Sequence, residues 1–180
     1  ATSQAYDSYV EALAAAGIET PNLLAAASNA AEPFYFQRDT HWTPAGAAVS
    51  AAALADVMGM NTGDVTPEFK GDYSEKGSLS TVAEKVCGTR PAAELGRAAN
   101  YAKAGDAASL LGDGPESANS IALVGTSFSN RYQRNAYQVA DAIAHFTGAS
   151  VENLSISGGG MTGAMEAFVR SGALAKFDGV

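Results

Sequence analysis

Asp39-Thr40-His41-Trp42-Thr43-Pro44 places a carboxylate and an imidazole two residues apart, directly after the apolar aromatic run Phe34-Tyr35-Phe36. Pro33–Gln37 reads as a strand that delivers Asp39 and His41 at its C-terminal end. Thr43 then caps a helix whose first residue is Pro44. A second stretch, Gly125-Thr126-Ser127-Phe128-Ser129-Asn130, follows Ile121-Ala122-Leu123-Val124 and puts a serine on the turn between a buried strand and a helix. Asp, His and Ser are the components of a nucleophilic triad: the serine attacks, the imidazole takes its proton, the carboxylate orients the imidazole. His41 carries most of the weight, because His145 is the only other histidine.

Outward from these stretches the chain alternates. Tyr6, Tyr9, Val10 and Leu13 have helical spacing before the stop at Gly17, predicting a helix over about residues 4–16, with a short turn at Leu23–Ala27. The helix from Pro44 continues, Ala-rich, to about Met58. Residues 59–119 are rich in Gly, Asp, Ser and Pro and read as an irregular surface insertion, with helices at Leu79–Val86 and near Ala92–Ala102. Beyond it come a buried strand at Ser120–Val124 and a helix from Arg131 to Phe146 opened by the capping-box pair Asn130 and Gln133. A strand at Ala149–Ile156, the turn Ser157-Gly158-Gly159-Gly160 and a helix from Met161 to Arg170 complete the order. Strand–helix–strand–helix predicts an α/β fold with a parallel sheet and right-handed crossovers, in one domain spanning 1–180. Three clear strands are few for this length, as in a trimmed part of a longer chain.

Composition narrows the function. Of 180 residues, 47% are hydrophobic and 17% charged, a globular profile. Eleven Lys and Arg against 19 Asp and Glu give a net charge of −8, which disfavours nucleic acid as a partner. No apolar run reaches the length of a membrane span, and no signal peptide opens the sequence. Cys87 is alone, so no internal disulfide is available, and with His145 set in a helix end a metal site is disfavoured. No cofactor is expected.

In an open parallel sheet, ligands bind outside the carboxyl ends of the strands. Asp39 and His41, Ser127, and the Gly158–Gly160 run each follow a predicted strand, so all three are expected at one sheet edge. At a helix start, the Ser127 N–H would face developing negative charge. A glycine turn lets backbone N–H groups approach a reacting oxygen. Plainer roles exist for each: a helix cap for Ser127 (though Ser129 and Asn130 are better placed), a packed histidine in a turn, an ordinary turn aspartate, a flexible glycine turn. Trp42 and Tyr132 flank the site, where a ring can stack on a sugar or simply pack in the core. Arg38, Arg131 and Arg134 are the nearby cations.

Taken together, DTHWTPAGA (39–47), LVGTSFSN (123–130) and Val151–Gly158 resemble the alginate O-acetyltransferases of the AlgJ/AlgX type. The resemblance implies an SGNH-hydrolase-like three-layer α/β/α fold with a mostly parallel central sheet and a permuted motif order, Asp and His preceding Ser. It implies Ser127 as acyl-accepting nucleophile, His41 as general acid/base and Asp39 as its orienter. The oxyanion hole would use the N–H groups of Ser127 and Gly158, with Gly159 in reserve; no residue matches the asparagine that ordinary SGNH enzymes add. It further implies a periplasmic polysaccharide O-acetyltransferase that forms an acetyl-serine and receives its acetyl group from a membrane acyl-transfer partner. Candidate sugar contacts are Trp42, Arg131 and Tyr132, and a polyuronate acceptor would require Arg38, Arg131 and Arg134 on the cleft rim. The alternatives are a carbohydrate acetylesterase with the same triad and a non-catalytic polysaccharide-binding module.

Overall fold

The computed structural model describes residues 2–64, 67–101, 119–131, 135–160 and 162–180. Tyr132, Gln133 and Arg134, Ala102 and Met161, all named in the sequence reading, lie outside them. The N-terminal third is helical: α1 (Thr2–Ala15), α2 (Leu23–Ser28) and α3 (Pro44–Val57). Asn22 caps α2 by accepting the Ala25 N–H at 2.9 Å, and the Leu23 N–H reaches back to the Tyr6 hydroxyl of α1 at 2.8 Å.

Helix α3 is the spine of the core. Thr43 caps it through the Gly46 N–H at 3.0 Å, while its own hydroxyl donates to the Pro33 carbonyl at 2.6 Å. Ala47, Ala48, Ala51 and Ala55 form a buried stripe that joins Ala142, Ile143 and Phe146 of the later helix α5 (Val139–Thr147) in one hydrophobic cluster. Small side chains on one helix let its backbone come close to the larger side chains of the other, which raises packing density.

Two small sheets flank this pair. The middle of the chain forms β1 (Phe69–Glu75), α4 (Ser78–Cys87) and β2 (Glu94–Ala99), with β1 and β2 antiparallel, Phe69 opposite Ala99 and Glu75 opposite Glu94. Farther on, β3 (Ser120–Leu123) and β4 (Ser150–Asn153) pair in parallel with α5 between them, and a single bridge from Ile121 to Gly179 extends that sheet. Helix α6 (Gly163–Ser171) and a short 3₁₀ turn (Ala173–Lys176) follow. No helix among the described residues is long and apolar enough to cross a membrane.

Several sequence expectations change here. In place of a mostly parallel central sheet, the described residues hold two two-stranded sheets, one of them antiparallel. Pro33–Gln37 is not a strand of a sheet. The chain doubles back on itself, with the Phe36 N–H on the His41 carbonyl (3.2 Å), the Thr43 N–H on the Phe34 carbonyl (3.0 Å) and one bridge between Tyr35 and Trp42. The segment near Ala92 is a strand, not a helix, because tertiary pairing overrides its Ala-rich helical propensity: Gly96 packs directly on the Tyr73 ring of the antiparallel partner strand. The region expected to be irregular thus carries an antiparallel strand pair joined through the helix α4, close to the expected Leu79–Val86. Helix α5 starts only at Val139, after Gln138, which takes a left-handed conformation (φ 57°) and clamps both the N–H and the C=O of Ala99 with its side-chain amide.

Two glycines are required by close approach. A Cβ at Gly46 would collide with the Phe34 carbonyl, and one at Gly77 (φ 72°) would collide with the Arg38 carbonyl. Gly77→Ala should therefore lower stability by about 1–3 kcal/mol through strain and overpacking. Urea unfolding of the two proteins checks this, and an unchanged midpoint would contradict the contact.

Candidate active site

The turn at 37–41 is built by side chains that bind backbone. The Glu94 carboxylate on β2 accepts the N–H of Gln37 (3.0 Å) and of Arg38, while the Arg38 guanidinium donates to the Ala92 carbonyl. Gly77 lets α4 begin against the Arg38 carbonyl, which accepts the Leu79 N–H at 3.1 Å. The result fixes Asp39 with no exposed side-chain surface.

Both oxygens of that carboxylate are engaged. Oδ1 accepts the His41 backbone N–H at 2.9 Å and is hydrogen-bonded to His41 Nδ1. Oδ2 accepts the Ser78 N–H at the first residue of α4 and lies 3.1 Å from Nη2 of Arg131. Burial on its own would raise the Asp39 pKa; the His41 hydrogen bond, the two backbone N–H groups and the Arg131 charge outweigh it and bring it down to about 2.

On its other side, His41 Nε2 is 2.8 Å from Ser127 Oγ. The ring is held face-on by Tyr137 (centroids 5.4 Å apart, planes at 26°) and from another side by Phe128 (4.8 Å). A continuous line of hydrogen bonds therefore runs from Ser127 to His41, 86 residues away in sequence, and on to Asp39. With Nδ1 donating to a carboxylate, Nε2 is left as an acceptor for the serine proton. Ser127 Oγ stands on a half-buried turn, open enough to meet a ligand.

That turn is not a helix N-terminus, as the sequence reading had it. Ser129 and Asn130 close it by donating their N–H groups to the Thr126 carbonyl (3.1 and 3.0 Å), and the next described helix is α5. Nor does Asn130 cap a helix: its amide donates to the Ser155 carbonyl at 2.8 Å, as Asn153 does to the Ser129 carbonyl at 2.8 Å. The chain after β4 is tied to the serine turn by the Ile156 N–H on the Gly125 carbonyl (2.9 Å), which sets the Ser157–Gly160 turn beside it. Gly158 is exposed with φ 80°, and the Gly159 N–H donates to the Ile156 carbonyl within its own turn at 3.2 Å.

Two of the side chains offered for sugar contact are used internally. Trp42 donates its indole N–H to the Phe128 carbonyl at 2.9 Å and packs edge-on against that ring. Arg131 does not line a rim: its side chain is 7% exposed, between Asp39 Oδ2 and Glu75 Oε1 (3.3 Å), and it donates to the Tyr137 hydroxyl. His145 packs against Tyr101 and Phe146, away from this site. A cavity lined by Tyr35, Gln37, Phe69, Leu95 and Arg97 contains none of Asp39, His41 or Ser127. Glu75, Ser78, Glu94 and Tyr137 went unremarked in the sequence, since each reaches the site through contacts distant along the chain.

Comparison with known proteins places this arrangement among SGNH-hydrolase-like α/β domains. A family model described as "SGNH hydrolase-like domain, acetyltransferase AlgX" matches residues 1–178, and the chain belongs to that family. The alginate biosynthesis proteins AlgX of Pseudomonas putida and Pseudomonas aeruginosa are 30% and 32% identical over 92% and 87% of this chain. The chain spans about a third of their length, 36% and 34%. The structure of Pseudomonas aeruginosa AlgX superposes with a TM-score of 0.69 at 29% identity, over 97% of this chain and 42% of that one. The O-acetyltransferase domain of Pseudomonas putida AlgJ shares the fold, with a TM-score of 0.69 at 24% identity over 95% of this chain and 59% of that one.

Because Asp39 titrates lower when folded than its ordinary 3.8, it adds stability above that pH, and the contribution is lost as the pH falls through about 2. Urea unfolding between pH 5 and pH 2 should show a steeper acid loss in the wild type than in Asp39→Asn. Parallel curves would contradict the depressed value.

Proposed function

We propose that this chain is the acetyl-transfer domain of a polysaccharide O-acetyltransferase working through an acetyl-serine at Ser127. The observation that carries the reading is the 2.8 Å approach of Ser127 Oγ to His41 Nε2, with Nδ1 of the same ring on the buried Asp39 carboxylate. In the first half-reaction, Ser127 Oγ attacks the acetyl carbonyl of the donor while its proton passes to His41 Nε2. The tetrahedral oxyanion collapses, the bond to the leaving oxygen breaks, and that oxygen leaves with the His41 proton. In the second, a sugar hydroxyl gives its proton to His41 and attacks acetyl-Ser127, and Oγ departs reprotonated.

The backbone N–H groups of Ser127 and Gly158 are assigned to the oxyanion. The bond between Ile156 and Gly125 supports this by setting their two turns side by side. Gly158 is preferred to Gly159, whose N–H is engaged with Ile156. The names of the family and of the relatives support an acetylated exopolysaccharide, alginate, as acceptor. That the domain works in the periplasm and takes its acetyl group from a membrane acyl-transfer partner is the part of the proposal that the motif resemblance alone implies.

Exposure to an activated acetyl ester, read by intact mass, should add one acetyl group to the wild type and to Ser129→Ala, and none to Ser127→Ala. His41→Ala should slow the labelling by about 10²–10⁴-fold or more, the contribution of a general base. Adding alginate oligosaccharides should then move the group to sugar. Release only as free acetate would make the enzyme an esterase, and labelling that survives in Ser127→Ala would overturn the assignment.

A further inference from the structure

We propose that Arg131 is a positioning residue of this site, fixing the Asp39 carboxylate so that Oδ1 alone serves His41; this rests on the proposed role of Ser127 and His41. Arg131 follows Ser127 by four residues on the same segment, so it ties the serine turn to the opposite end of the hydrogen-bonded line. Its guanidinium spans three groups at once: Nη2 is 3.1 Å from Asp39 Oδ2, Nη1 is 3.3 Å from Glu75 Oε1, and Nη1 donates to the Tyr137 hydroxyl. Each of those groups is itself anchored. Glu75 Oε1 accepts the Gly77 N–H at 3.0 Å, immediately before the Ser78 N–H that binds Asp39. The Tyr137 ring is 1% exposed and stacks on the His41 imidazole.

A carboxylate held through one oxygen can rotate about its Cβ–Cγ bond and present either oxygen to the imidazole. With Oδ2 held by a rigid guanidinium fork and a backbone N–H, that rotation is closed off, and the plane of the carboxylate is set for Nδ1. Through the Tyr137 hydroxyl, the same guanidinium also steadies the ring that covers the face of His41. A lysine ammonium gathers its three N–H donors on one nitrogen and lacks the planar fork that spreads the guanidinium donors over the three partners.

The test compares the wild type with Arg131→Lys, Tyr137→Phe and Glu75→Gln, each checked for folding by circular dichroism and thermal melting. Acylation of Ser127 by an activated acetyl ester is followed over a range of ester concentrations. The far-downfield proton resonance of His41 Nδ1–H is recorded as a readout independent of turnover. Arg131→Lys should lower the maximal acylation rate about 10–100-fold, by analogy with the loss of a hydrogen-bond partner that orients a metal-binding side chain. The half-saturating ester concentration should stay within about twofold, and the Nδ1 resonance should broaden or be lost. Tyr137→Phe and Glu75→Gln should show the same pattern more weakly. A folded Arg131→Lys protein with wild-type rate, or with a slowed rate and an intact resonance, overturns the positioning role. A wild type that is never acylated at Ser127 overturns the functional reading instead, and the resonance alone then decides Arg131.

Discussion

The Asp39 carboxylate is where the separate parts of this domain meet. Its Oδ1 takes the ring and the backbone N–H of His41, and its Oδ2 takes the first N–H of α4 and the guanidinium of Arg131. A carboxylate without exposed surface is tolerated only when its lone pairs are filled, since an unpaired buried charge costs several kcal/mol. The loop at 37–41, the Gly77 turn and the segment after Ser127 therefore depend on one another. Displacing any of them leaves the same buried anion short of a partner.

The charge balance around that anion bears on the proposed chemistry. Arg131 supplies one positive charge between the carboxylates of Asp39 and Glu75, and burial pushes the hydroxyls of Tyr73 and Tyr137 well above the usual tyrosine range, so both stay neutral. With His41 neutral, these groups carry one net negative charge. With an imidazolium, they carry none. In the proposed reaction the proton that leaves Ser127 therefore arrives where a positive charge completes the set. Glu75 keeps Arg131 from cancelling the field that His41 will need.

How much of this could be read from the sequence follows from the range of each contact. Asp39 and His41 are two residues apart, and their pairing is local, so a short motif carries it. Ser127 was recognisable from an apolar run followed by a small-residue turn, although its turn proved to stand alone instead of opening a helix. The supports were not legible. Glu94 holds the 37–38 backbone from 56 residues away, inside a segment whose composition favours helix. Arg131 was noticed for its charge and assigned to the surface, because nothing local signals that two acidic groups and a tyrosine wait for it in the core. The parallel pairing of β3 with β4 was readable from alternating strand and helix signals; the antiparallel pairing of β1 with β2 across α4, with Gly96 on Tyr73, was not.

The same placements reshape the question of acceptor recognition. Trp42 and Arg131, the two described side chains that composition offered for a sugar, are bound to the Phe128 carbonyl and to the buried acidic pair. Arg38 is half-buried, with its guanidinium on the Ala92 carbonyl. The line from Ser127 to Asp39 treats water and a sugar hydroxyl alike, since either can give its proton to His41. Selection between them must therefore arise at the surface around Ser127, where the exposed Ser157–Gly160 turn offers backbone groups in place of charge. Backbone N–H and C=O groups recognise hydroxyls by direction and keep that ability as salt rises, whereas exposed ion pairs are screened.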